Sequence, residues 1–278
     1  MTVDADRLRD RIDAPVVHHE SIPSTNDVAR AEGRDGAPHG TYVVADEQTA
    51  GRGRTGNVWA SPPGGVWSST LVRPDFGAGH VGRLTFAGGL AAAETVEAFG
   101  VDAGLKWPND VVVDSEAGRA KLCGILTEAV VDEVPVAGKP VDEVLPGTDP
   151  DEADLSFAVL GIGVNANLDA ADLDVDRDVT TLRAEVGDVD ATDVAATLHD
   201  RLLSWVDRVA ADDGFADALD EWRARSATLG DRVRVQTRDG ETVEGLADSV
   251  TSRGALVVDT GDGRVEVTEG ECARLRRS

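Results

Sequence analysis

Two arginines set between three glycines form the stretch of this chain best equipped for chemistry, Asp46-Glu-Gln-Thr-Ala-Gly-Arg-Gly-Arg-Thr-Gly56. Gly51, Gly53 and Gly56 let the backbone take positive φ and approach a ligand closely, with amide N–H groups turned inward. Arg52 and Arg54 add planar, permanently charged donor forks that match carboxylates and phosphates. A segment so rich in glycine loses much entropy on ordering. It is therefore expected to be mobile, with its arginines unpaired, until an anion orders it. The same letters satisfy G-x-G-x-x-G, but a dinucleotide-binding turn must run straight into a helix, and Asn57-Val-Trp-Ala-Ser-Pro-Pro-Gly-Gly65 cannot be one. Gly161-Ile-Gly-Val-Asn-Ala166 likewise lacks the βαβ setting that motif needs. The chemistry expected is anion capture.

Charge composition makes the lysines conspicuous. The 278 residues carry 52 Asp and Glu against 27 Lys and Arg, a net charge of −25, and only three of the cations are lysine. Acidity spread over the whole length resembles proteins of salt-loving organisms, and an acidic surface repels phosphate, so no nucleic-acid partner is expected. Lys106 and Lys121 lie in Lys106-Trp-Pro-Asn-Asp110 and Lys121-Leu-Cys-Gly-Ile-Leu126, while Lys139 lies in a polar loop. Ordinary solvated lysines remain the alternative for the first two. Cys123 and Cys272 fit no metal-ligand spacing, so no metal site is expected, and both read as reduced thiols of a cytoplasmic protein. No apolar run approaches the roughly 20 residues needed to cross a bilayer, and the N-terminus is charged from Asp4, so no membrane association is expected.

The elements that must position these residues follow in order. Asp4 to Ile12 predicts a short helix and Val16 to Ser21 a strand. Pro23-Ser-Thr-Asn26 opens a second helix that runs to Glu32. Ser24, Thr25 and Asn26 suit an N-cap, and equally a polar small-molecule head group. Thr41 to Ala45 is a β-branched strand that feeds the Gly/Arg loop from the end of a sheet. Strands are expected at Val66–Val72 and Leu155–Ile162, and a small-residue helix at Leu84–Phe99. Leu105 to Val113 reads as a polar turn entering a strand, paired with Lys121–Val131. Residues 132–154, where prolines and glycines interrupt eight acidic side chains, read as an exposed, mobile insertion without chemistry. Two amphipathic helices follow at Thr192–Arg208 and Phe215–Arg225. From Leu229 the period shifts to alternation, with hairpin signals at Arg238-Asp-Gly240 and Gly261-Asp-Gly263, which predicts a separate small β-barrel.

Ser24-Thr-Asn26, Gln48 to Gly56, Lys106-Trp-Pro-Asn-Asp110, Lys121 to Leu126 and Gly161-Ile-Gly-Val-Asn165, taken together and in this order, resemble the biotin protein ligase family. The resemblance spans roughly residues 20 to 170 and extends to the β-rich tail, which is similar to that family's SH3-like C-terminal domain. It implies an α+β fold: a catalytic domain over residues 1–226 related to class II aminoacyl-tRNA synthetases, with a mixed sheet flanked by helices, then a small β-barrel over 227–278. The group resembled is the one without an N-terminal DNA-binding domain.

The resemblance further implies that biotin is activated with ATP as biotinyl-5′-AMP and passed to a lysine of a biotin carboxyl carrier domain, with Mg²⁺ carried on the phosphates. It assigns catalysis to Lys121, Arg54 and Asp110. Biotin falls to Ser24, Thr25, Asn26, Gln48, Gly51, Arg52, Lys121 and Gly124, and ATP to Arg54, Trp59, Lys106, Asn109, Lys121 and Asn165. Asp110, which would orient the incoming amine and relay its proton, has a plainer reading as a turn residue after Pro108. A lipoate-type ligase of the same fold and a biotin-sensing regulator are the alternative functions, and a homodimer stays open. Lys121→Ala is expected to damage adenylation much more than folding.

Overall fold

β-Branched, buried runs build a mixed sheet from β1 (Val16–Ile22), β2 (Tyr42–Gln48), β3 (Val66–Val72), β4 (Gly104–Lys106), β5 (Asp110–Ser115), β6 (Gly118–Val131), β7 (Val134–Ala137) and β8 (Leu155–Val164). The computed structural model describes residues 2–115, 118–131, 134–137, 144, 147, 149, 153–173 and 178–275. The strand order is β1-β2-β3-β8-β6-β5-β4, with β7 on β6. Only the first pair is parallel, because α2 (Thr25–Arg34) carries the chain back between β1 and β2. All other pairs are antiparallel. The centre of the sheet is covered on both faces, so β3 is buried at every position and shows no alternation.

On one face α2 packs Ala29 into Val43, Leu71, Val130, Phe157 and Val159. Gly33 is required there: a Cβ would stand 2.5 Å from the Phe157 ring. The opposite face carries α3 (Gly82–Ala98), α5 (Ala191–Ala210) and α6 (Gly214–Ala224), whose Leu90, Leu202, Trp205 and Trp222 join Val44, Leu160 and Ile162 in the main core. The α1 helix (Ala5–Arg11) starts on its Asp4 cap and reaches α5 through Arg7, which pairs with Asp190 at 2.7 Å and Asp193 at 2.6 Å. A short α4 (Leu182–Val186), with no counterpart in the sequence pattern, begins at the Thr181 cap.

A second, antiparallel sheet holds β9 (Arg232–Gln236), β10 (Thr242–Val250), β11 (Leu256–Asp259), β12 (Arg264–Val267) and β13 (Glu271–Arg274) in the order β12-β11-β10-β9-β13. Two of its tight turns fall at Gly240 and Gly261, each with φ of 89°, where the hairpin signals lie, and a third, between β10 and β11, turns at Gly254 with φ of 86°. Its inner side chains, Val233, Val235, Ala247 and Val258 among them, belong to the same core as α3 and α6. The buried Trp107 fastens the joint: its backbone N–H donates to Thr228 Oγ1 at 2.9 Å, and its indole donates to the Gly254 carbonyl at 3.1 Å.

Residues 132–154, expected as an exposed insertion, are partly built into the fold where they are described. Val134–Ala137 extends β6 as an antiparallel hairpin, and Val144 and Ala153 pack with Ala78, Ala129 and Val131. Most of the remainder of that stretch, Lys139 included, lies outside the described residues. Among the described residues no helix is long and apolar enough to cross a membrane.

Candidate functional site

A cleft of about 560 Å³ opens where the N-terminus of α2, the Gly/Arg loop, strands β5, β6 and β8, and β13 of the second sheet converge. Its floor is made of glycine for a steric reason. A Cβ on Gly161 would lie 2.3 Å from Asn26 Oδ1, one on Gly163 2.5 Å from Trp59 Nε1, and one on Gly124 2.8 Å from the Trp59 ring and 3.0 Å from Lys121 Nζ. Trp59 thus lies flat against two strands because neither presents a side chain to it.

Four polar side chains frame the α2 end. Ser24 occupies the N-cap position, as one of the two sequence readings has it, yet its hydroxyl makes no capping bond. Gln48, from the end of β2, supplies the acceptor instead: its Oε1 takes the Thr25 backbone N–H at 2.8 Å and lies 3.1 Å from Thr25 Oγ1. Its own amide donates to Ser61 Oγ at 2.9 Å. Asn26 is buried, with Nδ2 donating to Glu128 Oε2 at 3.0 Å and Oδ1 lying 2.6 Å from Ser69 Oγ. The cap is therefore rigid, and the Ser24 hydroxyl lines the cleft.

The cationic wall centres on Lys121. Its Nζ lies 2.5 Å from Asp110 Oδ1 and 4.7 Å from the centre of the Trp59 ring. The contact with Asp110 is charge attraction, since Oδ1 has no partner in hydrogen-bonding geometry. Lys106 Nζ stands 3.7 Å from the other oxygen of Asp110. The Lys121 backbone is bound to Asp178 O at 2.9 Å and Thr180 N at 3.0 Å, beside the point where the β5–β6 register shifts between Val111 and Val112. Asn109 donates its amide to Ile125 O at 2.7 Å, locking the turn that carries Lys106 and Asp110 onto β6.

Backbone hydrogen bonds cross the Gly/Arg loop. Trp59 N donates to Gly51 O at 2.9 Å and Gly53 N to Asn57 O at 2.7 Å, closing a small ring across which Arg52 faces Val58. Arg52 is not unpaired: NH1 and NH2 reach the two oxygens of Asp27 at 2.8 and 2.7 Å, and that hydrogen bonding raises the guanidinium's affinity for its proton. Arg54 begins a 3₁₀ turn, Arg54–Gly56. Burial pulls its pKa below the usual value against the opposing field of Glu269, Asp110 and Glu271, but a guanidinium keeps its charge throughout. Asn57, at the loop tip, donates to Glu271 Oε1 on β13.

Most of the expected residues therefore meet in one place. Ser24, Thr25, Asn26, Gln48, Arg52, Arg54, Trp59, Lys106, Asn109, Asp110, Lys121 and Gly124 all line the cleft. Gly51 and Asn165 do not. A Cβ on Gly51 would stand 2.4 Å from Trp59 O, so this glycine shapes the loop from behind. Asn165 is buried one layer down, its amide donating to Thr180 O at 3.1 Å and Lys121 O at 3.4 Å, where it holds the backbone that carries Lys121. Sequence reasoning missed Arg119, Asp178 and the Gly270–Arg274 edge, all of which reach the cleft. Cys272 sits in that edge, and burial pushes its thiol up to about 11, so it stays protonated and inert. Both cysteines are free and buried, and no group of three or more His, Cys, Asp or Glu able to hold a metal occurs among the described residues.

Comparison with known proteins gives this geometry a family. Residues 19–138 match the Biotin/lipoate A/B protein ligase family and residues 228–275 the Biotin protein ligase C terminal domain. The chain is 33% identical over 268 residues to the Biotin--[acetyl-CoA-carboxylase] ligase of Mycobacterium tuberculosis, covering 91% of this chain and 86% of that protein. It is 30% identical over 253 residues to the Bifunctional ligase/repressor BirA of Bacillus subtilis, covering 89% and 70%. The fold matches the Aquifex aeolicus biotin protein ligase solved with biotin and ATP, at a TM-score of 0.73 and 24% identity over 95% of this chain and 99% of that one. By the identity it shares with these curated relatives over most of their length, the chain belongs to the biotin protein ligase family.

Proposed function

We propose that this protein activates biotin with ATP as biotinyl-5′-AMP and transfers the biotinyl group to a lysine of the biotin carboxyl carrier domain of a biotin-dependent carboxylase. The observation that carries this reading is the concentration of Arg52, Arg54, Lys106 and Lys121 in one cleft of a chain whose net charge is −25. Two anions, a carboxylate and a triphosphate, must be held in contact for the first step, and that takes fixed positive charge in a partly dry site. The biotin carboxylate oxygen attacks the α-phosphorus of ATP, and pyrophosphate leaves with the electrons of the α–β bridge. The neutral acceptor amine then attacks the acyl carbon, an amide forms and AMP departs.

Within this scheme Ser24, Thr25, Asn26, Gln48, Arg52 and Gly124 receive biotin, with Gly51 shaping the loop behind them. Lys121 and Arg54 bridge the carboxylate and the α-phosphate, and Trp59, Lys106 and Asn109 receive the nucleotide, with Asn165 supporting from beneath. Magnesium would arrive on the triphosphate and neutralise part of its charge. Asp110 orients the acceptor amine, whose reference pKa near 10.4 keeps it mostly protonated at neutral pH, and takes up its proton. We place the division between the catalytic unit and the C-terminal β unit at residues 226 and 227, and the protein in the cytoplasm. A biotin-type rather than lipoate-type substrate is favoured by the match of residues 228–275 to the biotin ligase C-terminal domain. The test is pyrophosphate release by the purified protein with ATP and either biotin or lipoate. Biotin-dependent release followed by labelling of a carrier domain is expected; release with lipoate alone, or with neither acid, refutes the reading.

A further inference from the structure

Three contacts at the α2 end of the cleft share two hydroxyl protons. Ser69 Oγ, on β3, lies 2.6 Å from Asn26 Oδ1 and 2.7 Å from Thr25 Oγ1, and Thr25 Oγ1 lies 3.1 Å from Gln48 Oε1. The two amide oxygens can only accept, so the protons of Ser69 and Thr25 must serve all three contacts. One pair of oxygens is therefore left with no proton between them.

Glu128 decides which pair that is. Its carboxylate, 4% exposed, accepts from Arg30 NH1 at 2.8 Å and from Asn26 Nδ2 at 3.0 Å. With its amide nitrogen committed there, Asn26 turns its oxygen to Ser69, and Ser69 must donate to it. Gly161, opposite Ser69 on β8, leaves room for that amide, since a Cβ there would stand 2.3 Å from Asn26 Oδ1. Ser69 then offers Thr25 only lone pairs, so at 2.7 Å Thr25 donates to Ser69. The contact without a proton is the longest of the three, Thr25 Oγ1 to Gln48 Oε1. The reverse assignment would leave two bare oxygens at 2.6 Å between Ser69 and Asn26, a worse clash in a buried place. Thr25 and Gln48 both line the cleft, whereas Ser69 and Glu128 do not.

We propose that Ser69 and Glu128 are positioning residues that act through Asn26 to set Thr25 and Gln48 as a paired acceptor, so that this end of the cleft takes a ligand N–H and disfavours an oxygen or sulfur in the same place. The inference rests on the reading of biotin as the substrate. With its carboxylate at Lys121 and Arg54, the part of biotin left for the neutral α2 end is its cyclic urea, which carries two N–H groups. The dithiolane ring of lipoate has none. Selection between the two acids thus begins at a buried carboxylate that touches neither.

The probes are biotin and its two carbamate isosteres, in each of which one ring N–H is replaced by oxygen. Pyrophosphate exchange gives kcat/KM for each. The wild-type protein should prefer biotin to at least one isostere by roughly 10- to 100-fold. Ser69→Ala removes the acceptor of the Thr25 proton and frees that hydroxyl to turn. Glu128→Gln lets the Asn26 amide turn round, so that Ser69 donates to Thr25 and Thr25 to Gln48. In either variant the preference should shrink by roughly 3- to 10-fold. A merely structural role would weaken use of all three compounds alike, with melting temperature followed alongside, and leave the ratio unmoved. A wild-type protein that uses both isosteres as well as biotin, or folded variants with the wild-type ratio, overturns the proposal. Failure of the ligase reading shows separately, as absence of biotin-dependent pyrophosphate release in the wild-type protein. Titration calorimetry with the same three compounds then still reads the acceptor pair, and binding of none of them overturns both readings.

Discussion

Replacing Lys121 with alanine probes the site at the point where its two duties conflict. The ammonium is the cation nearest Asp110, at 2.5 Å, and its side chain is only 10% exposed. A unit charge about 4 Å from developing charge contributes about 4 kcal/mol at an effective dielectric near 20. That agrees with the factor on the order of 10² to 10³ usually lost with one preorganised electrostatic donor. The structure adds a smaller folding cost beside the larger loss of adenylation. Without Lys121, Asp110 keeps Lys106 at 3.7 Å and the field of Arg54, and an undercompensated, mostly buried carboxylate costs about 1–3 kcal/mol. The single variant should therefore lose adenylation by roughly 10² to 10³ and also melt several degrees lower. Pairing Lys121→Met with Asp110→Asn removes both charges, so it should restore most of the melting temperature and none of the adenylation. Biotin-dependent pyrophosphate exchange and calorimetry on the three proteins decide the matter. Adenylation by folded Lys121→Ala at the wild-type rate, or its recovery in the double variant, would refute direct action of Lys121 on the reactants.

Asp110→Asn alone should leave adenylate formation largely intact and slow transfer to a carrier domain by roughly 10² to 10⁴, with partial recovery at high pH; parallel losses in both steps, read by single-turnover assays across pH, would contradict proton handling. Gly163→Ala places a Cβ 2.5 Å from Trp59 Nε1, so the indole must lift off β8 and leave Lys121. Weakening that cation–π contact should raise the ATP KM roughly 2- to 30-fold with a red-shifted tryptophan emission, and an unchanged KM would show that the ring is not part of the nucleotide site. Burial holds the His199 imidazole below its ordinary value, its Nε2 lying 2.9 Å from Gly40 O. The unfolded chain therefore takes up a proton that the folded chain resists, so this stability is present above about pH 6.5 and lost as pH falls. His199→Gln should flatten the decline in melting temperature between pH 7 and 5, and an unaltered slope would count against the assignment.

What the sequence made legible was whatever is encoded within a few residues. The Gly/Arg loop, the Lys106-to-Asp110 turn, the Lys121 strand and the Gly161/Gly163 pair announce themselves by unusual local composition, and all but the second-layer members reach the cleft. The two hairpin turns at Gly240 and Gly261 were equally local, because a positive φ needs glycine where it occurs. The cap of α2 was misread in part because its acceptor, Gln48, comes from 23 residues away on another element. Ser24 looks like a cap and occupies the cap position without capping.

Contrast also limits what can be read. In a chain with 52 acidic residues, Asp27 and Glu128 carry no signal of their own, although they meet Arg52 across 25 and 76 positions of sequence. Lysine is the opposite case: with three in the whole chain, two in motif-like stretches were a strong pointer, and both line the cleft. The β13 edge was hidden for a further reason, since strand alternation reports which residues face a core but not which neighbouring surface the outer face meets. Glu271, exposed by pattern, receives its bond from Asn57, 214 residues earlier, because Trp107 and Gly254 fasten the second sheet beside the loop. The position of the C-terminal sheet is thus set by buried apolar contacts, while the chemistry it brings to the cleft is polar. Those two requirements share no local pattern, which is why composition could indicate an anion site and yet not show that its outer wall comes from the end of the chain.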